Sequence, residues 1–144
     1  MNIIKQFLFS FLSTIGFAVL FNIPNDSISK SGIAGALGWV IFYITSRYLN
    51  NIAGTFFAAT TVGILGELLA RHYKKPATIY TIPGIIPLVP GAGMYYTMLA
   101  LIDNDFVLAA NKGTETFFIA VAISMGIIVS TFLSRSIKRV KYKN

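Results

Sequence analysis

Pro83-Gly84-Ile85-Ile86-Pro87-Leu88-Val89-Pro90-Gly91-Ala92-Gly93 places three prolines and three further glycines in a stretch without charge, inside an uncharged run of 27 residues from 76 to 102. As a helix that run exceeds the roughly 20 residues that cross about 30 Å of hydrocarbon. A regular helix does not tolerate the insert. Each proline removes an amide donor and clashes with the preceding turn, so the carbonyls of Ile79, Pro83 and Ile86 lose their helical partners. In hydrocarbon such groups are costly, and irregular backbone persists there only where protein buries it or it lines a wet cavity. The expected solution is a broken helix: a first half from about Thr78 to Ile82, an unwound stretch through Gly91, and a second half from about Met94 to Ile102.

The rest of the chain supports a membrane setting for this element. Hydrophobic residues make up 55% of the sequence and charged ones only 12%, about half the charged share of a soluble domain. The charges cluster, leaving uncharged intervals at 6–25, 31–46, 48–66, 76–102 and 116–134. Arg47 extends the short second interval by snorkelling. The pattern predicts an all-α integral membrane protein, a single transmembrane domain over 1–144, with about five transmembrane helices, one of them broken. Predicted spans run from Ile3 to Ile23, from near Ser31, from Ile52 to about Ala70, through 76–102, and from Thr114 to Ser134. Lys5 before an apolar stretch resembles a signal peptide, but no small-residue cleavage site follows, so an uncleaved first helix is expected.

The net charge of +7 arises largely from the end of the chain, where five of the twelve Lys and Arg occupy the last ten residues. Directly after a hydrophobic span, this reads as a cytoplasmic membrane flank rather than a nucleic-acid tail. With five crossings and that tail inside, nine basic residues (Lys30, Arg71, Lys74, Lys75, Arg135, Lys138, Arg139, Lys141 and Lys143) fall on the cytoplasmic side. Lys5, Arg47 and Lys112 fall outside. The N-terminus is therefore expected outside and the C-terminus in the cytoplasm.

Broken helices are how many secondary transporters build a solute site: the start of the second half presents unpaired amides and a positive dipole end, which suit a carboxylate. On this reading Pro83, Gly84, Pro87, Pro90, Gly91, Gly93, Tyr95 and Tyr96 are the substrate-binding candidates, with a polar cavity beside them. Gly91 and Gly93 would admit close approach to the backbone, and the tyrosines would add hydroxyls. The competing reading is a kink that merely shapes the bundle. Glu67, the only acidic residue within the spans proper, is either a proton carrier or an ordinary ion pair with Arg71 at i+4. Gly32, Gly35 and Gly38 read as a strip for close helix packing. His72 reads as an interfacial residue, and Glu115 as a helix N-terminal charge. With no Cys and one His, no metal site is expected. The absence of HExxH, GxSxG or Cys/His pairing argues against an intramembrane enzyme.

Leu69-Ala70-Arg71-His72-Tyr73-Lys74-Lys75-Pro76-Ala77, followed by the Pro83 to Gly93 run and Met94-Tyr95, resembles the signature of the threonine/serine exporter family in its small-subunit form. Gly16-Phe17-Ala18 through Phe21-Asn22-Ile23-Pro24 and Gly35-Ala36-Leu37-Gly38-Trp39 agree with it. The resemblance implies export of small amino acids such as threonine and serine, or of dicarboxylates such as succinate, across a bacterial plasma membrane, with no cofactor. It also implies a larger membrane subunit as partner, because some members are single fused chains and others are split in two. A non-transporting subunit that stabilises the larger partner is the alternative.

Overall fold

The computed structural model describes residues 2–141, with side chains through Ser134 and at Ser136. Lys143 of the charge count lies outside the described residues, as do the side chains of Arg135, Lys138, Arg139 and Lys141. Six α-helices follow in order: α1 Ile3–Leu20, α2 Asn25–Tyr48, α3 Asn51–Tyr73, α4 Thr78–Ile85, α5 Gly91–Ile102 and α6 Phe106–Lys141. A 3-10 turn, Ile86–Leu88, extends α4. Four helices are long and apolar enough to cross a membrane, and the bent pair Thr78–Leu88 and Gly91–Ile102 makes a fifth crossing if it is one span.

Three connections are closed by left-handed residues, Asn22, Lys74 and Asn104. At each, the next amide reaches back into the last turn: Ile23 to Ala18, Lys75 to Ala70 and Asp105 to Ala100. These bonds satisfy carbonyls that a helix end would otherwise leave bare. Two boundaries differ from expectation. Helix α2 starts at Asn25 rather than near Ser31, because Pro24 occupies its cap position and accepts from the Ser27 amide at 2.8 Å. Helix α6 starts at Phe106 rather than Thr114, because Asp105 Oδ1 accepts from the Leu108 amide at 2.9 Å. Lys112 and Glu115 therefore lie inside α6, 3.8 Å apart, and Glu115 has no helix-terminal role.

Packing inverts the pattern of a soluble protein. Most buried positions are small or hydroxylic, among them Ala18, Ala34, Ala36, Ala58, Thr14, Ser27, Ser31 and Thr55. Large apolar side chains point outward: Ile4 is 71% exposed, Val107 74% and Phe132 70%. Water would penalise such a surface heavily, whereas in lipid the bundle is held by close backbone approach and interhelical hydrogen bonds. The glycines do this as the packing reading requires. A Cβ at Gly35 would lie 2.3 Å from Thr14 Oγ1 of α1, and one at Gly38 2.3 Å from Val62 Cγ2 of α3. Helix α4 lies in the angle between α2 and α3. Helix α6 packs on α3 along its second half and on α5 along its first.

Candidate functional site

The chain breaks at Val89-Pro90, where the axes of the two flanking segments differ by 47°. The unwound part is much shorter than expected. Pro83 and Gly84 lie within α4, both buried, and a Cβ on Gly84 would meet Val62 Cγ1 at 2.7 Å. They bring α4 close to α2 and α3 instead of facing a cavity. Pro87 sits in the 3-10 turn, Pro90 caps α5, and Gly91 and Gly93 are in the first turn of α5.

The three carbonyls that the prolines orphan are all satisfied. Ser31 Oγ donates to Ile79 O at 3.1 Å from the neighbouring helix. The Ile86 amide closes on Pro83 O, and the Val89 amide on Ile86 O at 3.1 Å. The last two are tightened 3-10-type bonds, donated in each case by the residue just before the proline that cannot donate. Pro90 then adopts φ −80°, ψ 56°, an inverse γ-turn in which the Gly91 amide donates to Val89 O at 2.8 Å. What remains free among the described residues is the opposite set of groups. The first turn of α5 has no side-chain cap, so the amides of Ala92 and Gly93 are the unpaired donors at the break.

Because Ser31 donates to Ile79 O in place of the missing amide, Ser31→Ala is expected to destabilise the fold by about 1–3 kcal/mol. Thermal unfolding in detergent measures this; a melting point within a degree of the unmodified chain would mean that the carbonyl finds another donor.

A groove of about 530 Å3 opens between α5 and the first half of α6, bordered by Val89, Pro90, Met94, Met98 and Phe117. It is apolar, contrary to the polar cavity expected here. The hydroxyls of Thr97 and Thr116, which also border it, are each spent on a backbone carbonyl of their own helix at 2.7 Å. Tyr95 and Tyr96 lie on the exposed side of α5 with their rings edge to face. A second, smaller pocket touches the break on its other side, where Pro87 faces Gln6, Ser10, Ser13 and Trp39 of α1 and α2.

Glu67 is not near the break. It lies on the seam between α3 and α6, half-buried, with Ser134 Oγ at 3.5 Å. Arg71 does not pair with it directly. Its Nη2 donates to Ser134 Oγ at 2.7 Å and to the Ser134 carbonyl, so serine stands between the two charges. At the same end of the bundle, Lys75 bridges Asp26 at 2.5 Å and Ser27 at 3.0 Å, and Lys30 lies over the Tyr73 ring at 3.9 Å. These contacts tie the start of α2 to the end of α3 and the loop that follows it. No cluster of His, Cys, Asp or Glu suited to a metal occurs among the described residues.

Sequence reasoning singled out neither Gln6 nor Ser31. Gln6, Ser10 and Thr14 recur every four residues, so a polar face on α1 could have been read from that spacing alone. Nothing in the sequence points Ser31 at Ile79.

Apolar exterior, small-residue core, four apolar helices long enough to cross and a further pair bent at a Pro-Gly break define a multi-pass membrane protein of the kind in which secondary transporters are built. The chain belongs to the threonine/serine exporter family, ThrE, whose model matches residues 6–133. It is 27% identical over 114 residues to a threonine/serine exporter of Corynebacterium glutamicum, covering 79% of this chain and 23% of that protein. It is 28% identical over 146 aligned residues to an uncharacterized protein of Haemophilus influenzae, covering 92% of this chain and 48% of that protein. The chain thus spans less than half the length of either relative. No solved structure matches it.

Proposed function

We propose that this chain is one membrane subunit of a two-component exporter of small amino acids such as threonine and serine, or of dicarboxylates such as succinate, completed by a larger subunit of the same family. Membership of an exporter family over residues 6–133 carries this reading. The chain covers 23% of a protein named as a threonine/serine exporter, and the larger subunit would supply a counterpart of the rest. The break supplies two unpaired amides at the positive end of α5, a position suited to a carboxylate. Of the candidate residues, Pro90, Gly91 and Gly93 lie at this position, with Pro87 before the bend and Tyr95 and Tyr96 further along the exposed side of α5. The protein would sit in a bacterial plasma membrane, N-terminus outside and C-terminus inside, as the charge count favours.

One observation favours the alternative of a supporting subunit. The three carbonyls that lose a helical partner to a proline are satisfied and the groove beside the break is apolar, which is what a kink that only shapes packing would show. Transport separates the two readings. Proteoliposomes loaded with labelled threonine, serine or succinate are expected to release solute under a proton gradient only when both subunits are present. Release by the larger subunit alone, at the rate of the pair, would assign this chain the supporting role.

Glu67 is the proton-coupling candidate. In the same vesicles Glu67→Gln is expected to flatten the pH dependence of release while folded protein is retained. Loss of protein together with activity, recovered by also changing Arg71, would make the Glu67-Ser134-Arg71 contact structural.

A further inference from the structure

Helix α5 has one packing neighbour of any extent, α6, whereas α1, α2, α3 and α4 each have at least two. Of its twelve residues only Ala100 is buried. Beyond the 47° bend α5 thus pairs with α6 and with little else, and along one side the two helices do not close on each other. The groove of about 530 Å3 runs there, between Met94 and Met98 of α5 and Phe117, Ala120 and Ile123 of α6.

Its position decides what can fill it. Taken as one span, the bent pair reaches its break after Thr78–Leu88, a rise of about 16 Å, close to half of the roughly 30 Å of hydrocarbon. The groove starts at this break, at Val89 and Pro90, beside the unpaired amides of Ala92 and Gly93. Acyl chains lying in it would hold those amides against hydrocarbon, where nothing accepts from them. Protein laid along the groove keeps lipid away and leaves the amides to a polar space.

Its shape suits one face of a helix. From Gly113 to Ile123 it follows α6 for about 15 Å, close to the length over which a helix presents apolar side chains at i, i+4, i+7 and i+11. At ~30 Å3 for each water-sized group, 530 Å3 takes roughly 18 non-hydrogen atoms, the content of about four leucine-sized side chains. Met94 and Met98, each 59% exposed, are unbranched and polarizable and adapt to an incoming surface. The hydroxyls of Thr97 and Thr116 are already bonded, so the occupant needs no polar group to match them. The Corynebacterium glutamicum relative carries most of its own length outside the stretch matched here, which is 23% of it.

We infer that the groove between α5 and the first half of α6 seats an apolar transmembrane helix of the larger subunit, which puts the break at Val89-Pro90 on the interface between the two subunits. The inference rests on the two-component reading and adds to it the face by which this chain joins its partner.

The test uses the full chain, coexpressed with an affinity-tagged larger subunit. A photo-crosslinking phenylalanine analogue replaces in turn Met98 and Phe117 in the groove, and Ile4 and Ile128, which are 71% and 66% exposed elsewhere. Adducts with the larger subunit are expected from positions 98 and 117 at about tenfold or more the yield from 4 and 128. Ala120→Trp, at an exposed position bordering the groove, is expected to lower the amount of this chain recovered on the tag about tenfold or more. Its melting curve alone in detergent should match that of the unmodified chain, and Ile128→Trp should leave recovery intact. If Ala120→Trp fails to fold, the crosslink yields decide. Adducts from 98 and 117 only with phospholipid, or only with a second copy of this chain, would overturn the inference. So would adducts strongest from 4 or 128, or unchanged recovery of folded Ala120→Trp; both leave the pair standing and move its contact elsewhere. Failure of the two-component reading is a different outcome, in which the unmodified chain is not recovered with the larger subunit at all.

Discussion

Gly126→Leu is expected to remove most of the folded protein. A Cβ at this position of α6 would fall 2.8 Å from the Phe56 carbonyl oxygen, 2.9 Å from Ala59 Cβ and 2.9 Å from the Thr60 amide nitrogen of α3. Two of these are backbone atoms, which cannot rotate out of the way. The helices must separate, and the nearby contacts of Gly63 with Ser130 and of Arg71 with Ser134 separate with them. Overpacking a core commonly costs about 1–3 kcal/mol; with rigid backbone on one side and a whole isobutyl group on the other, the cost should reach or exceed the top of that range. Against a total stability of about 5–15 kcal/mol, this lowers both yield and melting temperature. Gly16→Leu is the control, because a Cβ there meets nothing within 4 Å. Size-exclusion profiles and melting curves in detergent compare the two. Equal profiles would show that α3 and α6 are not held together at this crossing.

The second large effect is expected on transport rather than on folding. Gly91 opens α5, and a Cβ there meets nothing within 4 Å, so Gly91→Leu should fold and assemble normally. Its side chain would occupy the space in front of the unpaired Ala92 and Gly93 amides. If these amides bind the solute carboxylate, release from vesicles falls at least tenfold, since a hydrogen bond to a charged group is worth about 1.5–3 kcal/mol. Full activity would leave the exporter reading standing and remove the start of α5 as a solute contact. Gly93 cannot serve as the probe, because its Cβ would lie 2.3 Å from Thr116 Oγ1 and the variant would disturb packing as well.

The two pockets divide the break between two physical roles. The groove on the α5 side offers apolar surface and spent hydroxyls, properties that suit lipid or another helix. The pocket on the α1 side is smaller and is bordered by Gln6, Ser10, Ser13 and Trp39 beside Pro87. Pro87 and Pro90 lie three residues apart on either side of the bend, so tilting α5 would change both at once.

Sequence alone determined the class, the rough positions of the apolar helices and the segment in which the break falls, because these depend on local chemistry. Uncharged length sets what can cross hydrocarbon, and proline in a helix fails wherever it stands. It also identified the packing role of Gly35 and Gly38. It overestimated the unwound stretch, since which groups rescue a proline carbonyl depends on neighbours, and Ser31 lies 48 residues from Ile79. The bond from Trp39 to Gln6 spans 33 residues and that from Arg71 to Ser134 spans 63. Such pairs follow from the rotation of each helix about its own axis. In a chain whose helices are apolar over most of their surface, hydropathy sets that rotation only weakly. The fit of small residues against neighbouring helices sets it, and this exists only once the helices are packed.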